Sequence, residues 1–207
     1  MKNTVKIGLT GVMGAGKSSV IRLLNRHDID VLDCDEINRE LLKKGNAGYL
    51  AITAAFGKSL LDQNGTLDTE KMSDFIFSDT QKKEQAESLL HPLIQQEIKR
   101  YVEECDKTIV VVEVPLLFEV HWEAFFDELW VVACEHALLL QRLKQYRSID
   151  AQEALKRMKY QLSQEEKCAR ADVILYNNSS MEQLDKQLSK ELKRISEGFT
   201  CCKRKIA

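Results

Sequence analysis

Eight consecutive residues near the N-terminus have the types and the spacing of a phosphate-binding loop. Residues 11–18 read Gly-Val-Met-Gly-Ala-Gly-Lys-Ser and match G-x-x-x-x-G-K-[ST] in full. Glycines let such a loop wrap around phosphates and turn its N–H groups inward, and the helix that follows adds partial positive charge. Lys17 is expected to reach the β- and γ-phosphates, and Ser18 is expected to ligate Mg²⁺.

The loop predicts a bound nucleoside triphosphate. The expected loop contacts are Gly11, Met13, Gly14, Ala15, Gly16, Lys17, Ser18 and Ser19. The motif does not specify which group receives the phosphoryl, so an ATPase, a GTPase and a kinase all fit. A signalling GTPase would need a base-selecting string such as Asn-Lys-x-Asp, which the sequence lacks. The GTPase is therefore less favoured.

Two aspartates, Asp33 and Asp35, stand where a second short strand is expected to end. In an open α/β sheet the ligand binds beyond the carboxyl ends of the strands, so a carboxylate there could accept a proton from an attacking hydroxyl. Strand alternation would place both side chains on one side. Helix capping competes with this interpretation, chiefly for Asp35, which precedes an expected helix. We favour a functional role for Asp33 and leave both roles open for Asp35.

A third carboxylate, Glu113, ends a β-branched run. A strand-end carboxylate opposite a phosphate loop can hold Mg²⁺ through water, which makes Ser18 and Glu113 the predicted metal-binding residues. The alternative for Glu113 is a plain strand-to-loop junction. The apolar residues that follow could line an acceptor pocket; they are Pro115, Leu116 and Leu117.

Hydrophobic periodicity predicts the elements that position these residues. The expected strands cover 5–10, 29–32, 108–114, 129–134 and 172–176. The expected helices cover 18–26, 36–44, 46–56, most of 69–104, 136–160 and 181–195. Within 69–104, Pro92 predicts either a kink or a new helix that begins at His91. This alternation predicts a three-layer α/β fold, a parallel sheet of the P-loop NTPase type flanked by helices.

Composition excludes several other classes of protein. The chain has 207 residues, of which 44% are hydrophobic and 30% charged, and its net charge of -2 offers no basic field for nucleic acid. No apolar run approaches the roughly 20 residues of a membrane helix, and the N-terminus does not resemble a signal peptide, so a cytoplasmic location is expected. The six cysteines include no C-x-x-C pair, which argues against a zinc site and fits reduced thiols.

Five segments together resemble the dephospho-CoA kinase family in order and spacing. They are the loop at 11–18, Asp33-Cys34-Asp35, His91-Pro92-Leu93-Ile94, Val114-Pro115-Leu116-Leu117-Phe118-Glu119 and Ala171-Asp172. The resemblance runs from about residue 5 to about residue 195. It implies transfer of the γ-phosphoryl of ATP to the 3′-hydroxyl of the dephospho-CoA ribose, the last step of CoA synthesis.

The resemblance also implies roles for individual residues. Asp33 would be the general base, and Lys17 and Arg142 would complete the catalytic set. His91 and Pro92 would join Asp33, Asp35 and the 115–117 stretch in binding the acceptor. The further ATP contacts expected are Arg142, Arg157 and Asn177.

Three regions of one 1–207 kinase domain are implied: a nucleotide-binding core at about 1–35, 106–137 and 171–200, a helical CoA-binding region at about 36–105, and a helical lid at about 138–170. Basic residues in the lid could neutralise charge on the transferring phosphoryl, although a solvated helix face is the alternative for most of them. They are Arg142, Lys144, Arg147, Lys156, Arg157, Lys159, Lys167 and Arg170. The sequence departs from the family at Tyr146, Cys168 and Thr69, where arginine is common.

Two other functions fit the same phosphate loop: a kinase of another nucleoside or nucleotide, and a P-loop switch ATPase that binds partners. The paired aspartates and the apolar 115–117 stretch favour a small-molecule acceptor. The expected ligands are therefore ATP with Mg²⁺ and dephospho-CoA, and neither nucleic acid nor a membrane. No protein partner is predicted.

Overall fold

A computed structural model describes residues 4–146 and 161–198. The strands are β1 (Val5–Thr10), β2 (Asp30–Asp33), β3 (Ile109–Glu113), β4 (Glu128–Ala133) and β5 (Val173–Tyr176). The helices are α1 (Lys17–Arg26), α2 (Cys34–Leu41), α3 (Ala47–Phe56), α4 (Thr69–Phe77), α5 (Thr80–Glu104), α6 (His136–Tyr146), α7 (Gln164–Arg170) and α8 (Met181–Ser196). Among the described residues, four successive α-helices separate β2 from β3, and no α-helix separates β3 from β4.

The five strands form one sheet in the order β2-β3-β1-β4-β5. β1 pairs in parallel with β3, so that Leu9 lies opposite Glu113, and in parallel with β4, so that Thr10 lies opposite Val131. β3 and β4 are almost wholly buried, as expected for β-branched strands covered on both faces. The predicted parallel α/β sheet flanked by helices is confirmed.

The chain divides into two compact units, a sheet unit (Met1–Val31 with Asp106–Ala207) and a helical unit (Leu32–Cys105). In the sheet unit, apolar side chains of α1 and α8 join the core built on the strands, among them Leu23, Leu24, Leu184 and Leu188. In the helical unit, the apolar faces of α3, α4 and α5 share a second core. No helix of the described residues is long and apolar enough to cross a membrane.

An ion pair fixes α8 to the first residue of β4. Glu128 is fully buried, and both of its carboxylate oxygens accept hydrogen bonds from Arg194, at 2.9 and 2.6 Å. Trp130 Nε1 also donates to Glu128, at 3.0 Å. The bidentate geometry satisfies a carboxylate that burial would otherwise strongly destabilise.

Several boundaries differ from the predicted ones. The helix expected at 36–44 is Cys34–Leu41, and the region 69–104 contains two helices that are separated near Asp79 and not at Pro92. The second of these, α5, begins after Asp79, whose side chain accepts a hydrogen bond from Gln81 N at 2.9 Å and caps it. α5 then continues through Pro92, so no new helix begins at His91.

Candidate active site

The phosphate loop joins β1 to α1 and includes backbone that side chains would disturb. Gly16 has a φ of 97° and is the N-cap residue of α1, so the first N–H groups of this helix follow the loop directly. Gly11 lies so close to β4 that a β-carbon would stand 2.5 Å from Val132 O. The loop therefore has the close-packed, glycine-dependent form that a phosphate cradle requires.

Lys17 lies at the start of α1 and turns back over the loop. Its Nζ donates to Gly11 O at 3.0 Å and lies 3.9 Å from Glu113 Oε1. Both side chains are mostly buried, with 14% and 17% of their surface exposed. The arrangement places one cation and one strand-end carboxylate beside the loop.

The oxygen donors at this site fit Mg²⁺. Ser18 is exposed in the first turn of α1, and the Glu113 carboxylate lies beside Lys17. Mg²⁺ prefers oxygen ligands and retains several waters, so it needs only one or two protein ligands in addition to the phosphates of a nucleotide. A hydroxyl and a carboxylate match that requirement in chemical type.

Asn177, directly after β5, supports the loop from its other side. It is buried, and its Nδ2 donates to Ala15 O at 3.0 Å, while Arg142 Nη2 donates to Asn177 Oδ1 at 3.5 Å. Among the described residues, the buried Nη1 of Arg142 makes no hydrogen bond. The structure thus brings Arg142 and Asn177, two of the predicted ATP contacts, to the loop.

Of the three residues 115–117 that follow β3, one is exposed to solvent. Leu117 is fully buried, and one of its methyl groups would lie 2.6 Å from a β-carbon at Gly8, so its side chain belongs to the core. Leu116 is 39% exposed. Pro115 O accepts from Thr10 Oγ1 at 3.2 Å, which holds the stretch to the end of β1. Of the three predicted acceptor contacts, Leu116 offers the most open surface.

Lys167, one of the basic residues assigned to the lid, is neither solvated nor open to a phosphate. It is fully buried in α7, and its Nζ lies 2.8 and 3.0 Å from the two carboxylate oxygens of Glu119. Arg170, one turn later, lies 3.8 Å from Glu123. Basic residues in a polar segment look alike in sequence, so no sequence signal separated Lys167 from its neighbours.

Half of the eight predicted lid cations are not among the residues that the structure describes. Arg147, Lys156, Arg157 and Lys159 lie outside the described residues. The predicted ATP contact of Arg157 therefore stays a prediction. Gln161, which the sequence did not single out, accepts a hydrogen bond from Met13 N of the loop, and Glu119, to which no role was assigned, accepts one from the neighbouring Leu162 N.

In the helical unit, Asp33 caps α2. Its Oδ1 accepts hydrogen bonds from Asp35 N at 2.8 Å and from Glu36 N at 3.2 Å, which leaves Oδ2 for another donor. Capping was expected chiefly at Asp35, but the helix begins earlier, and Asp35 is exposed in its first turn. The capping bonds fix the direction of the Asp33 carboxylate at the end of β2.

His91 and Pro92 lie inside α5 of the same unit. His91 is partly buried, and burial lowers the pKa of its imidazole, with Lys83 acting in the same direction and Glu87 opposing. The neutral form is thereby favoured at neutral pH, in which one ring nitrogen donates and the other accepts a hydrogen bond.

The sequence of the chain is similar to proteins of one kinase family over almost its whole length. The family model described as dephospho-CoA kinase matches residues 5–183. The chain is 32% identical to the dephospho-CoA kinase of Thermosynechococcus vestitus over 96% of its own length and 98% of the relative's. It is 35% identical to that of Listeria innocua, over 91% and 96% of the two chains.

Several solved structures are also similar to this chain. A dephospho-CoA kinase from Campylobacter jejuni superposes with a TM-score of 0.67 at 27% identity, over 96% of this chain and 99% of the other. A protein from Thermus thermophilus superposes with a TM-score of 0.82 at 28% identity, over 94% and 99%. A shikimate kinase from Aquifex aeolicus, at 14% identity and a TM-score of 0.50, shares the fold.

Proposed function

Because the chain belongs to the dephospho-CoA kinase family and is an ATP-dependent kinase, we propose that it transfers the γ-phosphoryl of ATP to the 3′-hydroxyl of the dephospho-CoA ribose. The products are CoA and ADP. The family match over residues 5–183 carries this proposal. The intact phosphate loop supports it, because Lys17 and the N-terminus of α1 supply the positive charge that a transferring phosphoryl needs.

In the proposed reaction, a ribose hydroxyl oxygen forms a bond to the γ-phosphorus, and the bond from that phosphorus to the bridging oxygen of ADP breaks. Asp33 takes the hydroxyl proton as general base. Two backbone N–H groups already bond to its Oδ1, so the carboxylate is held in one orientation with Oδ2 available. General-base catalysis by a positioned side chain typically contributes about 10²–10⁴-fold to the rate of a reaction.

Lys17 and Arg142 would stabilise the charge that spreads over the transferring phosphoryl. Lys17 is held by Gly11 O, and Arg142 by Asn177, so both cations are oriented before the nucleotide binds. Ser18 and Glu113 would hold Mg²⁺, which when bound neutralises charge on the β- and γ-phosphates. His91, Pro92, Pro115 and Leu116 are the proposed acceptor contacts, together with Asp35.

An acceptor test checks this function. Purified protein with ATP and Mg²⁺ is given dephospho-CoA, adenosine or AMP, and the products are identified by mass spectrometry. We expect CoA and ADP in equal amounts from dephospho-CoA. Phosphorylation of adenosine or AMP instead would indicate a kinase of another nucleoside or nucleotide. ADP formed at the same rate without any acceptor would indicate a P-loop switch ATPase.

The cytoplasmic location stays a prediction.

A further inference from the structure

A glutamine from outside the phosphate motif bonds to the phosphate loop itself. Gln161 Oε1 accepts a hydrogen bond from Met13 N at 3.3 Å, although the two residues are 148 positions apart. Met13 stands between Val12, which is buried, and Gly14, whose φ is 87°. The glycines on either side, Gly11 and Gly14, restrict the backbone little, so a bond to the N–H of the Val12–Met13 peptide limits the freedom of the loop between them.

The chain beside Gln161 is anchored in turn. Leu162 N donates to Glu119 Oε1 at 2.8 Å. The same carboxylate is the partner of buried Lys167, at 2.8 and 3.0 Å. A carboxylate acceptor gives Leu162 a strong hydrogen bond, and the buried ammonium of Lys167 fixes the position of that carboxylate.

The anchor is also tied to the strand that carries Glu113. Lys167 Nζ lies 3.4 Å from Pro115 O, which also accepts from Thr10 Oγ1 at the end of β1. One buried ammonium therefore connects the stretch after β3 with the segment that contains Gln161. Lys167 thus contacts the stretch after β3 directly, and it is connected to the phosphate loop through Glu119 and the segment that contains Gln161.

We propose that Gln161 is a positioning residue for phosphoryl transfer: its carboxamide orients the Val12–Met13 peptide of the phosphate loop, and the ion pair of Glu119 with buried Lys167 holds Gln161 in place through Leu162. This role rests on the proposed function, since it concerns the same site. A neutral carboxamide suits this task, because a carboxylate at position 161 would place negative charge beside the phosphates.

Replacement of the side chain by one of similar shape tests the first half of the proposal. Gln161→Leu removes the acceptor, and we expect ATP affinity and kcat/KM for ATP to fall about tenfold, with KM for dephospho-CoA unchanged. Gln164→Leu is the matched control. Gln164 exchanges two hydrogen bonds of 2.9 Å with the main chain of Cys134 and, within the part of the chain that the structure describes, none with the phosphate loop. This control should lower Tm without changing ATP affinity.

Two double variants test the second half. Glu119→Leu with Lys167→Met removes both charges and the acceptor for Leu162, whereas Glu119→Gln with Lys167→Met keeps an acceptor there. The first double variant should lose as much kcat/KM for ATP as Gln161→Leu does. Combining it with Gln161→Leu should lower kcat/KM no further, because the double variant and Gln161→Leu both act through the contact between Gln161 and Met13. The second pair should retain most of the activity.

The proposal is overturned if Gln161→Leu binds ATP like the wild type, or if Gln164→Leu loses as much ATP affinity as Gln161→Leu. It is also overturned if the combination of Gln161→Leu with Glu119→Leu and Lys167→Met loses kcat/KM by the product of the separate losses. ATP binding is measured by calorimetric titration without an acceptor. A wild-type protein that makes no CoA would therefore refute the proposed function while the titration still tests Gln161.

Discussion

Gly16 and Asn177 are packed so closely that a β-carbon on residue 16 would lie 2.0 Å from Asn177 Nδ2. Asn177 uses that same nitrogen to bond Ala15 O at 3.0 Å. The absence of a side chain at one position is thus what allows the other residue to brace the phosphate loop.

The first prediction concerns this pair. Gly16→Ala should force Asn177 away from Ala15 and impose a positive φ on alanine, which costs about 1–3 kcal/mol of stability. ATP binding should weaken, as measured by titration, and Tm should fall. Gly198→Ala is the control for backbone strain alone: its φ is also positive, and no atom of the described residues lies within 4 Å of its β-carbon position. Equal loss of ATP affinity in both variants would contradict the prediction.

Lys17→Ala should lower kcat/KM by at least about 10²-fold, because the developing charge loses its nearest cation. Steady-state assays with ATP and dephospho-CoA measure this loss. Lys190→Ala, on the exposed part of α8, serves as the control and should match the wild type. Turnover of the Lys17 variant close to normal would refute the assignment of the phosphate loop.

Asp33→Asn separates catalysis from capping, since asparagine caps helices as well as aspartate does. Turnover should fall about 10²-fold or more, with ATP affinity retained. Asp68→Asn is closely matched, because Asp68 caps α4 with the same pair of bonds, to Glu70 N and Lys71 N at 3.1 Å each. The Asp68 variant should keep its turnover; a loss of ATP binding alone in the Asp33 variant would assign Asp33 a metal-binding or structural role.

Arg194→Met should leave Glu128 buried without its cation and cost about 3–5 kcal/mol of unfolding free energy, as measured by urea denaturation. The double variant with Glu128→Gln should recover much of that loss, because the buried charge is then gone. Arg100→Met, which breaks an exposed pair with Glu97, should leave the urea midpoint unchanged. A small loss for Arg194→Met would mean that water replaces the guanidinium.

The lowered pKa of His91 predicts a pH-dependent stability. Because burial favours the neutral ring, the unfolded chain binds more protons than the folded one between the lowered pKa and the usual 6.5. Stability should therefore rise with pH through that window and fall as pH drops below 6.5. Urea midpoints of the wild type and His91→Gln, compared from pH 5 to pH 7, should differ in slope, with the steeper rise in the wild type. Parallel slopes would contradict the burial effect.

Much of the fold followed from local patterns in the sequence. β1 was predicted at its observed bounds, and the starts and ends of most other elements lie within a few residues of those predicted. The errors have local causes. Asp33 rather than Asp35 caps α2, and the break within 69–104 lies at Asp79 and not at His91. Side-chain oxygens that bond to free N–H groups decided both boundaries.

The site was predictable to a different degree at each position. Gly11, Gly16, Lys17 and Ser18 follow from a motif of eight contiguous residues, since the chemistry of a phosphate loop is carried by neighbours along the chain. Leu117 could not be assigned in this way. An apolar residue after a strand can line a pocket or fill the core, and only packing against Gly8 decided for the core.

The sequence by itself determined the phosphate loop, the order of strands and helices and the family, because these depend on residue types at fixed short spacings. Only the tertiary structure decided which charges are buried and paired. Lys167 and Glu119 are 48 residues apart, and Gln161 and Met13 are 148 apart. These partners come together only in the folded chain, and no local pattern contains that information.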